Sequence, residues 1–402
     1  MTKLAVLSLH TSPLAQPGRG DSGGMNVYVR ELAGSLARAG VPTDVFVRRW
    51  SDDLPETVEV EPGMRVIHVP AGANDLAKEA LPEIVGEFAA GVADRLDPAT
   101  GALHANYWLS GVAGHQLKHQ LELPLVATFH TLARVKAETG DLEPARRAQA
   151  ETDVIACADA ILASCQPEAN QLIRLYGADP ARIEIVPPAV DHAFFSPGPR
   201  AGARAALGLD DRPLVLFVGR IQPLKGLEVA VDMLRELEED VDLMVVGGAS
   251  GAVGARSLDQ VQQEIAHHGL GARVRYVDPP PHHALGTYYR AADVCVVPSR
   301  SESFGLVALE AAACGTPVVA AAVGGLRSIV EHGRTGFLVE GRDPGIFAAY
   351  VDELLSLPDL AAEVGVAAAE QAAAYTWPTA AGRLRRLYAD LVSAGSPLLC
   401  AA

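Results

Sequence analysis

Positive charge, cysteine and long hydrophobic runs are all scarce in this sequence. Its 33 lysines and arginines are outnumbered by 49 aspartates and glutamates, which gives a formal net charge of −16. Because nucleic-acid-binding proteins normally present a basic face, we do not expect nucleic acid as a partner. The most apolar stretch, residues 303–326, is interrupted by Glu310 and Pro317, and the N-terminal MTKLAVLSLH turns polar too early for a signal peptide. The sequence therefore predicts a cytoplasmic protein without integral membrane association.

The cysteines are few and scattered. None forms a C-x-x-C pair or another metal-binding spacing; the five are Cys157, Cys165, Cys295, Cys314 and Cys400. An odd number without regular spacing is typical of a cytosolic protein, in which cysteines are mostly small buried apolar residues. We therefore expect all five to be reduced thiols.

Short β-branched runs alternate with longer amphipathic runs along all 402 residues. This alternation predicts α/β domains with mostly parallel sheets, and the length suggests two of them. The predicted strands are residues 3–9, 43–47, 64–69, 102–106, 123–130, 160–164 and 183–188 in the first half and 213–220, 241–248, 273–279, 292–299 and 316–321 in the second. Segment 194–213 is rich in Pro, Gly and Arg, which favours an interdomain linker. We expect domains at 1–195 and 196–376, with a last helix in 377–402 that packs back on the first domain.

Neither half carries G-x-G-x-x-G after its first strand, which disfavours a nicotinamide-binding fold. Ligands of doubly wound sheets lie beyond the carboxyl ends of the strands. With two such domains facing each other, a ligand in the cleft between them is the natural expectation. Three segments carry candidate side chains for it.

The first segment is GRIQPLKG, residues 219–226, directly after a predicted strand. It places Arg220 and Lys225 at the carboxyl end of that strand. An arginine offers planar forked donors and a lysine a point charge, so the pair suits a diphosphate. A solvated loop with two surface charges is the alternative.

The second segment is SESFGLVALEAAACGTPVVA, residues 301–320. Ser301 or Ser303 is placed to cap a helix that starts near Phe304, and Gly305 would leave its first turn bare for an anion. Glu302 precedes this helix, and Glu310 lies on a very apolar face of it. A carboxylate in such surroundings is usually paired or binds a ligand, so both acids are candidates for sugar hydroxyls, with a buried structural Glu310 as the alternative.

The third segment is GDSGGMNVYVREL, residues 20–32. Gly23 and Gly24 make a turn without side chains, and the helix predicted to start near Met25 adds a positive dipole end. These features indicate a second anion site, now in the first domain. A plain glycine-rich turn between strand and helix is the alternative.

In order and spacing these segments resemble the retaining GT-B glycosyltransferases of family 4, a group that includes sucrose-phosphate synthases. GRIQPLKG is followed by Glu302 and Glu310 at E-x7-E spacing and then by GGLRSIVEHGRTGFLV. In the first half, HTSPLAQPGRGDSGGMNVYV, HANYWLSG, FHTLARVK and PARRA are similar to the D-inositol 3-phosphate glycosyltransferases of mycothiol biosynthesis. That family transfers N-acetylglucosamine from UDP-GlcNAc to 1D-myo-inositol 3-phosphate, and the resemblance covers nearly the whole chain.

The resemblance implies a nucleotide-sugar-binding second domain. Arg220 and Lys225 would hold the donor diphosphate, with Gly24 approaching it from the first domain. Glu302 would bind the donor sugar, and Glu310 the ribose. The full set of donor residues implied by the resemblance is Gln16, Pro17, Gly24, Arg220, Lys225, Glu302, Ser303, Phe304, Gly305 and Glu310.

The resemblance also implies an acceptor-binding first domain. Lys78, Tyr107, Thr131 and Arg146 would hold the acceptor phosphate. The inositol would contact His10, Asp21, Ser22, Gly23 and Asn26. The positions support this set, because two of the phosphate residues follow predicted strands and two open predicted helices, and such side chains suit a phosphomonoester. Arg147 is an alternative to the adjacent Arg146.

Expected catalysis is electrostatic. Arg220, Lys225 and Glu302 would act at the donor, and His130 would lie beside the transferred sugar to orient it rather than serve as a base. No cofactor is required, although the resemblance implies a structural Mg²⁺ near Tyr289, Arg290, Ala292 and Thr316. It also implies a homodimer.

The sequence departs from the family at Asn106, where a histidine is expected, and at Pro280, where an arginine is expected. Three alternatives stay open. They are a transferase with another acceptor, such as a sugar phosphate or a lipid; a GT-B UDP-GlcNAc epimerase; and a nucleotide-sugar-binding protein without activity.

Overall fold

Two parallel-stranded sheets covered by helices make up the protein, as the alternating pattern predicts. The computed structural model describes residues 3–18, 20, 22–395 and 397. It divides the chain into two units. Unit 1 comprises residues 1–15, 25–187 and 377–402, and unit 2 comprises residues 16–24 and 188–376.

The sheet of unit 1 has eight strands in the order β3-β4-β2-β1-β5-β6-β7-β8. The strands are β1 Lys3–Ser8, β2 Thr43–Arg48, β3 Thr57–Glu61, β4 Met64–Val69, β5 Thr100–Asn106, β6 Leu125–Thr128, β7 Ala160–Ala163 and β8 Ile183–Ile185. Strand β3, which the sequence did not predict, pairs antiparallel with β4 at one edge, and the other neighbours are parallel. Strand order reverses between β1 and β5, so the crevice where a ligand is expected lies beyond their carboxyl ends.

Seven helices belong to the described part of unit 1. They are α1 Gly24–Arg38, α2 Val85–Ala93, α3 Trp108–Leu121, α4 Ala133–Glu138, α5 Ala145–Cys157, α6 Gln166–Tyr176 and the last helix, α15 Trp377–Ser393, while the residues Lys78–Ile84 form a 3₁₀ helix. Helix α1 buries Tyr28, Leu32 and Leu36, which lie four residues apart on one face. Its first residue, Gly24, is grouped with unit 2.

The sheet of unit 2 has six parallel strands in the order β11-β10-β9-β12-β13-β14. They are β9 Leu214–Val218, β10 Asp242–Val246, β11 Val274–Val277, β12 Val294–Val297, β13 Val318–Ala321 and β14 Phe337–Val339. The inner strands β9, β10, β12 and β13 are short apolar runs rich in valine because the interior of a parallel sheet is buried on both faces, whereas the edge strand β11 is partly exposed. Strand order reverses between β9 and β12, which defines a second crevice.

The helices of unit 2 are α7 Arg200–Leu207, α8 Leu227–Arg235, α9 Gly251–His267, α10 Leu285–Ala291, α11 Leu306–Ala313, α12 Leu326–Ile329, α13 Pro344–Ser356 and α14 Pro358–Ala372. The linker prediction for 194–213 was wrong, because this segment contains α7. Arg204 on α7 is buried and donates to the carbonyl of Ala291 and to the carboxylate of Asp293. The Pro and Gly residues of segment 194–213 flank a helix that belongs to unit 2.

Candidate active site

Lys225 and Glu302 meet at the crevice of unit 2. Lys225 ends a 3₁₀ turn after β9, and Glu302 follows β12. The Lys225 Nζ lies 2.5 Å from Glu302 Oε2, which also accepts a 3.3 Å hydrogen bond from the Ser299 hydroxyl. Both partners are half-buried, with 23% and 17% of their side chains exposed. The two groups predicted for the donor are therefore neighbours, and the ion pair neutralises both charges.

Arg220 lies in the same crevice, beside the glycine segment that precedes α1. Its Nη1 donates to the Ser250 hydroxyl at 3.2 Å. A Cβ added to Gly23 would lie 3.1 Å from Arg220 Nε, and one added to Gly24 would lie 3.2 Å from Leu306 Cδ1. Both positions therefore need glycine because neighbouring side chains approach the backbone closely. The backbone angle is not the reason, since neither glycine has a positive φ. Any larger residue at 23 would press on the guanidinium.

Other described residues of segment 16–24 also have their contacts within unit 2. The Gln16 Nε2 donates to the Pro279 carbonyl at 2.6 Å, and the Gly18 amide donates to the Ser22 carbonyl at 2.9 Å. Pro17 is half-buried and Ser22 is buried. Asp21, predicted to contact the acceptor, lies outside the described residues. The structure therefore groups Ser22 and Gly23 with the predicted donor residues rather than with the other predicted acceptor residues.

Two glycines, Gly324 and Gly325, which directly precede α12, lie against the loop at 302–305. The Gly325 amide donates to the Glu302 carbonyl at 3.0 Å, and an added Cβ at Gly324 would lie 1.9 Å from that same oxygen. The predicted serine cap was wrong. Helix α11 begins at Leu306, its N-cap is Gly305 with φ +104°, and it has no side-chain capping hydrogen bond.

Two predicted donor residues lie in this loop. Phe304 is buried and its ring packs 6.0 Å from that of Tyr375, whereas Ser303 is half-buried. Since Phe304 anchors the loop in the core, Glu302 and Ser303 are carried on a fixed backbone.

Glu310 is buried, and both its oxygens have partners. Oε1 lies 2.7 Å from His282 Nε2, and Oε2 accepts a 2.8 Å hydrogen bond from the Tyr289 hydroxyl. Burial, and then the adjacent carboxylate, raise the pKa of Tyr289 well above its ordinary value, so it stays a donor. Sequence reasoning missed His282, although it follows the position of Pro280 closely in the run PPPHH. A ribose at Glu310 would replace or bridge these contacts.

Of the residues predicted to surround Mg²⁺, Tyr289, Arg290 and Ala292 lie at the end of α10, and Thr316 contacts that end from the loop before β13. The Thr316 hydroxyl donates to the Tyr289 carbonyl at 2.7 Å, and Arg290 Nη1 donates to the Phe194 and Ser196 carbonyls. Carbonyl oxygens that end a helix, together with a hydroxyl, are hard ligands, but the set contains no carboxylate, and magnesium prefers at least one. The magnesium stays a prediction.

At the crevice of unit 1, His10 and Tyr107 form one surface. Their ring centroids are 4.3 Å apart. Tyr107 directly follows β5 and is the N-cap of α3 with φ +75°, a strained backbone angle for a residue with a bulky side chain. Asn26 is buried and donates to the Thr11 hydroxyl and the Ser12 carbonyl, both at 2.6 Å. It therefore fixes the loop after β1, which carries His10.

Arg147 joins Tyr107 to Thr131. Its guanidinium carbon lies 5.0 Å from the centre of the Tyr107 ring, and Nη2 donates to the carbonyl and hydroxyl of Thr131 at 3.0 Å each. The remaining donors bind the carboxylates of Glu151 at 2.8 Å and Glu143 at 2.9 Å. Although burial opposes it, the nearby Tyr107, Glu151 and Glu143 raise the pKa of Arg147. Arg147 is thus a buried framework cation.

Arg146 and Lys78 are instead exposed cations. Arg146 Nη2 donates to the carbonyl of Glu79, the residue after Lys78, at 2.9 Å. The helix predicted to open at Lys78 is a 3₁₀ turn that contains Pro82, and only from Val85 does it become α-helical. Of the two neighbouring arginines, Arg146 is the one with an exposed guanidinium for a phosphate.

His130 follows β6 in a left-handed conformation with φ +61°. Its Nε2 lies 2.9 Å from Asn106 Oδ1, and its ring packs edge-on to Tyr28 at 4.9 Å. Because an amide oxygen only accepts, Nε2 carries the proton. Burial, and then the neighbouring His104 and His10, lower the pKa of His130 to about 3. The imidazole is neutral near pH 7 and a poor base, in line with the orienting role expected for it.

His104, a fully buried histidine that sequence reasoning also missed, lies behind this site. The imidazole of His104 is hydrogen-bonded to the Thr128 hydroxyl through Nε2 and to the Tyr388 hydroxyl of α15 through Nδ1, each at 2.8 Å. Burial lowers the pKa of His104 to about 3. The last helix is therefore hydrogen-bonded to β5, the strand that ends at Asn106 and is followed by Tyr107.

Within the described residues, no helix has both the length and the apolar character needed to cross a membrane. Two domain families match the chain: the Glycosyl transferase 4-like domain over residues 23–189 and the Glycosyl transferases group 1 over residues 200–371.

Two relatives of similar length carry the same name. The D-inositol 3-phosphate glycosyltransferase of Xylanimonas cellulosilytica is 46% identical over 96% of both chains. The protein of the same name from Geodermatophilus obscurus is 47% identical over 93% of this chain and 86% of its own.

Among solved structures, the sucrose-phosphate synthase of Thermosynechococcus elongatus is 34% identical and covers 98% of this chain and 100% of its own, with a TM-score of 0.92. The lipopolysaccharide glycosyltransferase WaaG is 18% identical and covers 96% and 99%, with a TM-score of 0.73, which reflects the shared fold. The predicted fold and family are confirmed: this chain is an enzyme with the GT-B glycosyltransferase fold, and it belongs to the D-inositol 3-phosphate glycosyltransferase family.

Proposed function

We propose that this enzyme transfers N-acetylglucosamine from UDP-GlcNAc to 1D-myo-inositol 3-phosphate with retention of the anomeric configuration. The observation that carries the proposal is a cluster of polar and cationic side chains in unit 1, to which we assign the acceptor. Arg147 binds Thr131 and packs on Tyr107, and the adjacent, exposed Arg146 donates to the carbonyl of Glu79, the residue after the exposed Lys78. Two cations supply charge-assisted hydrogen bonds to a phosphomonoester, and the surface of His10 and Tyr107 is suited to a polyol ring.

We assign the donor to unit 2. There, Arg220 and Lys225 would neutralise the diphosphate of a UDP-sugar, and Glu302 is 2.5 Å from Lys225. Donor binding would split this ion pair, because Lys225 turns to the phosphate and Glu302 to the sugar hydroxyls. After the exchange the phosphate would compensate the charge of Lys225, and the carboxylate of Glu302 would accept hydrogen bonds from the sugar hydroxyls.

The proposed chemical step breaks the bond between the anomeric carbon and the β-phosphate oxygen. Negative charge then grows on the leaving UDP, and Arg220 and Lys225 stabilise it. The acceptor hydroxyl attacks from the same face, and its proton passes to the departing phosphate oxygen. This route needs no protein base, which suits a His130 that is neutral and weakly basic.

The test measures UDP release from UDP-GlcNAc with and without 1D-myo-inositol 3-phosphate, together with the anomeric configuration of the product by NMR. We expect release that depends on the acceptor and an α-linked product. Lys78→Ala and Arg146→Ala should each raise the KM for the acceptor about 10- to 100-fold, since each removes a charge-assisted hydrogen bond. Arg174→Ala, which removes an exposed cation paired with Glu138, is the matched control and should leave the KM unchanged.

One other acceptor deserves the same assay. The 34% identity with a sucrose-phosphate synthase over nearly the whole chain favours a sugar phosphate as the second candidate. Release stimulated by fructose 6-phosphate but not by the inositol phosphate would refute the first proposal and support this one. A β-linked product would refute retention alone.

A further inference from the structure

Three metal-ligating side chains converge on the surface of unit 1, between the ends of α3 and α5. His115 and His119 lie one helical turn apart on α3, with ring centroids 5.0 Å apart. Cys157 is the last residue of α5, and its Sγ lies 3.3 Å from His119 Nε2. One ligand atom from each residue lies within 4.8 Å of the others.

Cys157 also has an oxidised form. It is disulfide-bonded in the structure, so the expectation that all cysteines are reduced was wrong. Cys165, Cys295 and Cys314 are not part of a disulfide, and Cys400 lies outside the described residues. Reduction by a thiol or a phosphine delivers two electrons and two protons to the disulfide and leaves a thiol on Cys157. That thiol loses its proton to solvent when it ligates a metal.

We propose that the reduced form of this protein binds a zinc ion through His115, His119 and Cys157. Two imidazoles and a thiolate are ligands that zinc prefers, and histidines at i and i+4 on one helix face are a common zinc-binding pair. On a tetrahedral zinc, nitrogen and sulfur ligands lie about 3.5 Å apart, close to the 3.3 Å between His119 and Cys157. Because His119 is exposed and His115 half-buried, rotation of their side chains can close the remaining gap. The fourth position is left for water or a further ligand.

The surroundings hold Cys157 in place at the end of α5. Lys118 Nζ donates to the Cys157 carbonyl and to Asp159 Oδ2, each at 2.7 Å. Arg182 Nη1 donates to the carbonyls on either side of Cys157, those of Ala156 and Ala158, at 3.0 and 2.9 Å. The end of α5 is thereby fixed.

The proposed ion would serve structure rather than chemistry. Helix α3 starts directly after Tyr107, and at 1.5 Å per residue His115 and His119 lie about 12 and 18 Å further along it. Helix α5 carries Arg146 and Arg147 at its other end. A zinc ion would therefore tie together the far ends of the two helices that position Tyr107 and the arginines.

The experiment uses the full chain, first stripped of metal with EDTA and kept reduced with TCEP. Zinc is titrated against a competing chromophoric chelator, and cobalt serves as a spectroscopic probe. We expect one zinc per chain, a thiolate-to-cobalt charge-transfer band, and no comparable binding of Mg²⁺. His119→Gln and Cys157→Ser should each weaken zinc binding at least 100-fold and remove the charge-transfer band or shift it.

Two variants outside the cluster provide matched controls. Cys165→Ser removes another buried cysteine, and His267→Gln removes a histidine of α9; both should bind zinc like the original chain. Because Cys157→Ser could fail to fold, the folding of each variant is checked by circular dichroism. His119 is exposed, so the loss of zinc binding in His119→Gln tests the proposal even if Cys157→Ser does not fold. The protein kept oxidised should bind no zinc. Absence of stoichiometric binding in the reduced chain would overturn the proposal, and so would equal affinity in His119→Gln and His267→Gln.

Discussion

Gly325 offers a sharp test of how the loop that carries Glu302 is positioned. This residue has φ −68°, so an alanine there meets no backbone strain. Its added Cβ would nevertheless lie 2.3 Å from Phe304 Cα and 2.5 Å from the carbonyl oxygens of Phe304 and Ser303. Ordinary contact needs about 3.4 Å or more, so the backbone of the loop must move by roughly 1 Å. All three atoms belong to the main chain, and no side-chain rotation can relieve the clash.

The expected consequence of Gly325→Ala appears in two measurements. Overpacking of this kind costs about 1–3 kcal/mol in the free energy of unfolding, which corresponds to a loss of roughly 2–12 °C in Tm for a domain of this size. A misplacement of about 1 Å at Glu302 should lower kcat/KM for the donor by about 100-fold. Thermal unfolding and initial rates of UDP release at varied donor concentration measure the two effects.

The control for this prediction is Gly271→Ala. Gly271 lies in the same unit with open space around its added Cβ and without a positive φ, so both readouts should stay near those of the original chain. If Gly325→Ala matches Gly271→Ala within 0.5 kcal/mol and keeps its donor kinetics, the clash does not determine the loop position and the reasoning fails.

Three further predictions concern the charges of the two units. Arg147→Ala should destabilise the protein by about 3–5 kcal/mol in urea unfolding, because it leaves the buried Glu151 without its cation, whereas Arg146→Ala should cost less than about 0.5 kcal/mol; equal costs would contradict the assignment of framework and ligand arginines. Lys225→Ala should lower kcat at least tenfold and raise the donor KM while changing the free energy of unfolding by about 1 kcal/mol or less, and an unchanged kcat would remove Lys225 from the stabilisation of the leaving group. In the folded protein the pKa of His104 is lowered from 6.5 to about 3, so the unfolded chain takes up the proton first, and the free energy of unfolding falls by about 1.4 kcal/mol per pH unit as the pH drops from 6.5 to about 3. In His104→Gln the slope of the free energy of unfolding against pH should be shallower by one proton, and an unchanged slope would argue against a neutral His104 in the folded protein.

Much of the fold could be predicted from the sequence because buried parallel strands leave a distinctive trace. Continuous valine-rich runs such as LVLFV and VCVV reflect burial on both faces, and the predicted strands of the two sheets appear at these runs. The edge strand β3 was missed because TVEVE is half exposed and alternates with acidic residues. Helix α7 was missed because its Pro and Gly boundaries resemble those of a linker.

The candidate site divides in the same way. Side chains that follow a strand, such as Arg220 and Tyr107, could be predicted to lie at a crevice because the topology fixes where strands end. Contacts between segments that are distant in the sequence could not be predicted. Nothing local links His282 to Glu310, or His115 and His119 to Cys157, which lies 38 residues beyond His119. The different roles of Arg146 and Arg147 depend on which side of α5 faces the core, and a one-residue step changes that face by about 100°.

The return of α15 to unit 1 has a consequence for how the chain is made. The whole of unit 2 is synthesised before Trp377 and Tyr388, yet the Tyr388 hydroxyl completes the hydrogen bonds of the buried His104. During translation, the imidazole of His104 in unit 1 therefore lacks its Tyr388 partner until the ribosome has also completed unit 2. For the same reason a single cut after residue 187 cannot release a finished unit 1. A fragment intended to hold the acceptor half alone would need α15 rejoined to it through a designed linker.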